Sequence, residues 1–146
     1  MKKFYAVFDT NVLVSSLLSK RDDSPTVVLL DYVLSGQIVL LYCNEIIAEY
    51  DEVLHREKFE FSDESINAVL EMVKTGLCLE PIPSGASFPD ADDTVFYEVA
   101  LSKEESYLVT GNQKHFPKSP IVVTPTEMLQ IVRIENQTNN NAAATV

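Results

Sequence analysis

The sequence lacks the features that mark several common functional classes. No apolar run approaches the roughly 18 residues that a membrane-spanning helix needs. The opening Met1-Lys2-Lys3-Phe4-Tyr5-Ala6-Val7-Phe8-Asp9 is too short and meets a charge too early for a signal peptide, so the expectation is a cytoplasmic protein without a membrane partner. Only two cysteines occur, Cys43 and Cys78, each in or beside an apolar run and with no CxxC or Cys/His cluster nearby. That argues against a zinc centre and suits two reduced, largely buried thiols. No Gly-rich loop is present to cradle a phosphate, and no Gly-x-Ser-x-Gly elbow frames Ser15 or Ser16. His55 and His115 have polar flanks that suit surface or loop histidines better than general bases. Positive charge is scarce: 11 Lys and Arg stand against 22 Asp and Glu, a net charge of −11. Taken alone, this speaks against a phosphate-binding surface. Acids gathered in one cleft would instead repel one another and call for a cation, so their arrangement decides.

What is there is an alternating pattern. With 146 residues, 46% of them apolar, the chain is long enough for one domain with a substantial core. Phe4 to Phe8 is a short buried strand, closed by Asp9. A short helix over Asn11–Leu18 breaks at Lys20-Arg21-Asp22-Asp23-Ser24, and a second begins at Pro25 and stops at Gly36. Strand Ile38–Tyr42 leads to a helix capped by Asn44 and reaching about His55. Ser62 opens a fourth helix that ends at Gly76, followed by a short strand, Leu77–Glu80, and a Pro/Ser/Gly loop from Pro81 to Pro89. A helix opening at Asp92 or Asp93 runs through Ser102, and strands follow at Tyr107–Thr110 and Ile121–Val123. Thr124-Pro125-Thr126-Glu127 forms a capping box for a last helix to about Ile134. Alternating strands and helices predict an α/β fold, a mainly parallel sheet in a three-layer α/β/α arrangement, over residues 1–135. Residues 136–146, polar and then Ala-rich, read as a disordered tail.

Functional crevices in such sheets lie beyond the carboxyl ends of the strands. Asp9 and Thr110-Gly111-Asn112 each follow a strand directly and so fall on that edge. Asp93 sits at the first turn of a helix, where a carboxylate is favoured electrostatically but is equally at home as a structural cap. Glu49 borders the apolar stripe Ile46, Ile47, Tyr50, Val53 and Leu54, close to the protein body; a packed stem with a wet head is the alternative.

These segments also resemble a family. Tyr5-Ala6-Val7-Phe8-Asp9-Thr10-Asn11-Val12 is similar to the opening motif of PIN domains, Ile46 to Leu54 to the second with Glu49 as its acid, Pro89-Asp90-Ala91-Asp92-Asp93-Thr94 to the third with Asp93, and Tyr107-Leu108-Val109-Thr110-Gly111-Asn112 to the fourth. The four occur in the family's order over residues 4 to about 124. The subgroup most resembled is the one described as toxin components of toxin–antitoxin systems. The resemblance implies a flavodoxin-like variant of the α/β/α fold, an acidic pocket binding Mg²⁺ or Mn²⁺, and cleavage of RNA phosphodiesters. It departs at one place, because Asn112 stands where the family usually has Asp.

Carboxylates can hold hard cations that stabilise charge at a scissile phosphate and supply the nucleophile. On this reading Asp9 is the central ligand, Glu49 and Asp93 complete the set, and Asn112 is a fourth, neutral ligand. Asn11 and Thr110 would orient carboxylates or touch phosphate, Asp90 and Asp92 would act through water, and Lys114, with His115 and Lys118, would meet the RNA backbone. Single-stranded RNA, an antitoxin protein and a second copy of the chain are the expected partners. The second copy is suggested by Val27, Val28, Leu29, Leu30, Tyr32, Val33 and Leu34, which wrap most of one helix. Asn112 and the acidity leave room for a weakly active or inactive scaffold that binds nucleic acid or protein. A receiver-like phosphoacceptor domain with Asp9 as acceptor fits poorly, since that chemistry needs an acid pair, an acceptor on a later strand and a Lys after the last one.

Overall fold

The computed structural model describes residues 1–144, with side chains through residue 139. Within them, five parallel strands form one sheet: β1 (Phe4–Phe8), β2 (Ile38–Tyr42), β3 (Leu77–Cys78), β4 (Ser106–Val109) and β5 (Val122–Val123), in the order β3-β2-β1-β4-β5. Strand β1 is central, and Ala6, Val7 and Phe8 are wholly buried. A strand covered on both faces reads as the continuous apolar run seen here rather than as an alternation.

Six helices flank the sheet: α1 (Thr10–Leu18), α2 (Pro25–Ser35), α3 (Asn44–Leu54), α4 (Asp63–Lys74), α5 (Thr94–Leu101) and α6 (Pro125–Ala144). Helix α2 packs between α1 and α6, α5 lies on β1, β2 and β4, and α4 lies on β2. This is the expected three-layer α/β/α fold. Several boundaries follow from local chemistry. Gly36, at φ 87°, ends α2 in the left-handed conformation. The Ser62 hydroxyl accepts the Ser65 N–H at the start of α4. At α6, Thr124 Oγ1 accepts the Glu127 N–H at 3.1 Å while Glu127 Oε1 accepts the Thr124 N–H at 2.9 Å, the reciprocal capping box.

Element ends shift by a residue or two, β3 being Leu77–Cys78 where Leu77–Glu80 was expected, and three further details differ. Cys43 rather than Asn44 is the cap residue of α3, because the Ile47 N–H already bonds the Cys43 carbonyl. Cys78 is exposed, not buried, since β3 is a two-residue edge strand. Helix α6 runs past Ile134 to Ala144, into the stretch expected to be a disordered tail; residues 145–146 lie outside the described residues. Asn136 anchors the start of this continuation: it exchanges two side-chain hydrogen bonds, at 2.6 and 3.2 Å, with the buried Gln37 at the turn into β2.

Candidate active site at the carboxyl end of the sheet

From β1 the chain crosses to β2 on one side, and it later returns to β4 on the other. The β1/β4 boundary is therefore the switch point where doubly wound sheets open a crevice. Phe8 pairs with Val109 in the ladder, so the residues that follow, Asp9 and Thr110, emerge side by side. The Asp9 N–H donates to the Val109 carbonyl at 2.9 Å. The Thr110 hydroxyl donates to Asp9 Oδ2 at 2.8 Å and accepts the Asn112 N–H at 3.0 Å. Both side chains are buried, Asp9 with 6% of its surface exposed and Thr110 with none. Burial pushes the Asp9 pKa up, against the opposing hydrogen bonds from Thr110 and the Thr10 backbone and the nearby His115.

Helix α3 delivers Glu49. Its neighbour Tyr50 is fully buried and donates its phenolic hydrogen to the Phe8 carbonyl at the end of β1, which pins the helix against the same edge. Glu49 itself is half-buried. Its pKa is raised by burial first, then by the charges of Asp92 and Glu52, with Asp9 also contributing and Arg56 opposing. Asp93 ends a single 3₁₀ turn, Ala91–Asp93, just before α5. Its side chain makes no capping hydrogen bond, so the cap reading of this residue has no support in its contacts. Burial, then Asp9 and Asp90, with Glu49 adding and His115 opposing, lift its pKa to about 6. A carboxylate perturbed by burial and like charges in a cleft is a candidate for a functional group.

The remaining predicted residues divide. Asp90 caps the 3₁₀ turn through the Asp92 N–H at 2.9 Å and so holds Asp93 in place. Asp92 is exposed and lines a groove of about 340 Å³ with Glu45, Glu49 and Glu98. Asn112 is tied to Asp9 through Thr110, but by its backbone; its side chain does not cap the turn that follows. Asn11 is exposed on the first turn of α1. Lys114 points to a different pocket, lined by residues 113–122. His115, read from the sequence as a surface or loop histidine, is exposed but stands 3.5 Å from Asp93. Nothing in an aperiodic loop signals that contact, which arises only when the β4–β5 connection folds back over α5. Glu45 and Glu98 join the groove through helix positions one turn from Glu49 and Thr94, which becomes visible only after α3 and α5 are set together.

The PIN-domain family model matches residues 5–114. The chain belongs to the PIN-domain family. No characterised protein and no solved structure matches it. The match spans β1 through the turn after β4, and so includes the three segments that carry Asp9, Glu49 and Asp93 and the turn that carries Asn112. Its fold is that of a nuclease family, and among the described residues no helix is long and apolar enough to cross a membrane.

The donor chemistry suits a hard divalent cation, since the inward groups are carboxylate oxygens and neither cysteine is among them. Among the described residues, no three His, Cys, Asp or Glu side chains close on a single point.

Proposed function

We propose that this PIN domain is a metal-dependent endoribonuclease that hydrolyses RNA phosphodiesters. Asp9, Glu49 and Asp93 are its cation-holding carboxylates and Asn112 is a weaker, neutral ligand. The observation that supports this reading best is that acids from separate elements stand at one sheet edge: the buried Asp9 follows β1 directly, and Tyr50 ties the helix that carries Glu49 to the Phe8 carbonyl; burial first, and like charges second, raise the pKa values of Glu49 and Asp93. Mg²⁺ or Mn²⁺, when held there, supplies positive charge for the scissile phosphate and a nucleophilic water at neutral pH.

The chain's own residues do the positioning. The Thr110 hydroxyl and the Thr10 N–H fix the Asp9 carboxylate, as outer hydrogen bonds commonly do for metal ligands. Tyr50 holds the helix that carries Glu49, and Asp90 holds the turn that carries Asp93. His115 stands 3.5 Å from the Asp93 carboxylate and pairs with it when protonated. Asn11 is free at the rim to meet phosphate. Single-stranded RNA in the cytoplasm is the proposed substrate, with an antitoxin protein as a covering partner. Leu34 on α2, 71% exposed, with Ile134 and Leu18 also exposed, favours a homodimer.

Asn112 favours a second reading, a weakly active or inactive scaffold that binds nucleic acid or protein. Asp9→Asn separates the two. The nuclease reading expects loss of Mn²⁺-dependent cleavage of single-stranded RNA with the fold retained by circular dichroism; cleavage at the wild-type rate sinks the assignment.

A further inference from the structure

The β4–β5 connection carries a feature that the acidic site leaves unused. No Asp or Glu lies between Glu105 and Glu127 in a chain of net charge −11, and the same stretch holds Lys114, His115 and Lys118. It folds around a pocket of about 360 Å³ lined by Gln113, Lys114, Phe116, Pro117, Lys118 and Val122, with mostly apolar walls. That volume is at the lower end of the roughly 300–1,000 Å³ of small-ligand sites. Phe116 is backed edge-on by Phe88 at 6.3 Å, and Phe88 in turn meets Tyr97 of α5 edge-on at 5.9 Å. Gln113 Nε2 donates to the Val122 carbonyl at 3.1 Å and to Glu127 at 3.2 Å, closing the floor. The pocket is thus built, not a gap between loose loops, and His115, next in the chain to Lys114, stands 3.5 Å from Asp93.

We propose that this pocket is a nucleotide subsite that seats one unpaired base of the RNA, with the adjoining phosphates on Lys114 and Lys118. This rests on the nuclease reading of the neighbouring acids. A mostly apolar cavity, with the largely buried Phe116 in its wall, suits the face of a base, and the exposed Lys114 and Lys118 that line it match the flanking phosphates. A base stacked within a duplex cannot enter, so the pocket selects single strands. The wall from Phe116 to Val122 lies beyond the residues matched by the family model.

The test uses the full chain and a fluorescein-labelled single-stranded RNA octamer, beside the same sequence in a hairpin stem. Anisotropy in EDTA reads binding without cutting, and Mn²⁺ is then added to read cleavage. Ser119, half-buried, also lines the pocket, so Ser119→Trp fills it, and Lys118→Ala removes a phosphate contact at an exposed position; melting temperatures confirm folding. Each variant should bind the single strand about tenfold more weakly, and Lys118→Ala should lower the salt slope by about one, with the stem little changed. Equal weakening on both RNAs overturns the base seat and leaves only a phosphate track. Unchanged binding by Ser119→Trp also overturns it, and if Asp9→Asn abolishes cleavage in that case, the nuclease reading survives. If the variants lose single-strand binding although the wild type cuts no RNA, the subsite stands and the nuclease reading falls.

Discussion

The Thr110 hydroxyl donates to the Asp9 carboxylate at 2.8 Å across the boundary between β1 and β4. The contact joins residues 101 positions apart in sequence, yet it follows from the ladder, because pairing of Phe8 with Val109 sets the next residues side by side. Both groups are buried, so the carboxylate's hydrogen bond cannot be replaced by water at no cost.

Thr110→Val keeps the side-chain shape and removes that hydroxyl. Asp9 should then hold its proton more tightly, since the lost bond is the largest influence holding its pKa down. The Asn112 N–H loses its acceptor as well. Cleavage should fall about 10–100-fold and need more Mn²⁺, the usual cost of losing an outer hydrogen bond to a metal ligand, and Thr110→Ser should restore most of it. A Mn²⁺ titration of the three proteins checks this; equal activity of wild type and Thr110→Val would remove Thr110 from the site.

Gly76 tests the fold apart from the chemistry. It ends the turn from α4 into β3, and a Cβ there would stand 1.9 Å from the carbonyl oxygen of Leu40 on β2. Backbone on backbone cannot yield as a flexible side chain can. Gly76→Ala should therefore cost several kcal/mol, on the order of 3 or more, whereas Gly111→Ala, with open space around it, should cost far less. Chemical denaturation of the two variants gives the comparison.

How far these relationships could be read from the sequence depended on the range of the interaction. Strand β1, the ends of α2 and the capping box of α6 are set by neighbouring residues: Pro25 and Gly36, Thr124 and Glu127. The places of Asp9 at a strand end, Glu49 at the border of a buried helix face and Asp93 at the start of a helix were legible too, while their role as cation ligands is a proposal. The Asp93–His115 contact, the 113–122 pocket and the continuation of α6 were not legible, because each depends on segments far apart in the chain. The Asn136–Gln37 exchange spans 99 residues, and no local propensity of an Asn-rich stretch announces it. Cys78 failed for a related reason: beside Leu77 and Leu79 it reads as core, but it lies on the last strand of the sheet, with no neighbour beyond it to cover it.

Asp93 gives a pH signature. Its pKa is about 6 in the folded protein against 3.8 ordinarily, so the folded state binds the proton more tightly than the unfolded one. Its stabilising effect is full below about pH 4 and is lost as pH rises through 6. Above that, the buried charge beside Asp9 and Asp90 burdens the fold. Without divalent ions, Asp93→Asn should be more stable than wild type at pH 8 by roughly 1–2 kcal/mol, less than the full shift implies because solvent reaches part of the site. The gain should fade between pH 6 and 4. Saturating Mn²⁺ should reverse the order, since only the wild type gains from tight binding. Thermal melts at several pH values, with and without Mn²⁺, measure all three effects; a gain that persists at pH 4 would point to packing and away from charge.

Asn112 decides how the site departs from its family. Its backbone N–H bonds Thr110, which bonds Asp9, so the residue stands two hydrogen bonds from the central carboxylate. Its side chain does not cap the following turn, which weakens the view of it as a mere turn former. An amide oxygen can still bind a hard cation, but without the charge that a carboxylate brings. Asn112→Asp should thus act in opposite directions on two measurements. Half-maximal cleavage should need about tenfold less Mn²⁺ or Mg²⁺, because one more negative ligand faces the ion. In EDTA the same variant should melt lower than wild type, because another acid joins Asp9, Glu49 and Asp93 with no cation between them. A change in neither quantity would mean that the side chain faces away from the acids and that its place in the site is wrong. Lower stability with no cleavage by either protein at any metal concentration would keep Asn112 beside the acids and make the binding scaffold the better account of what this PIN domain does.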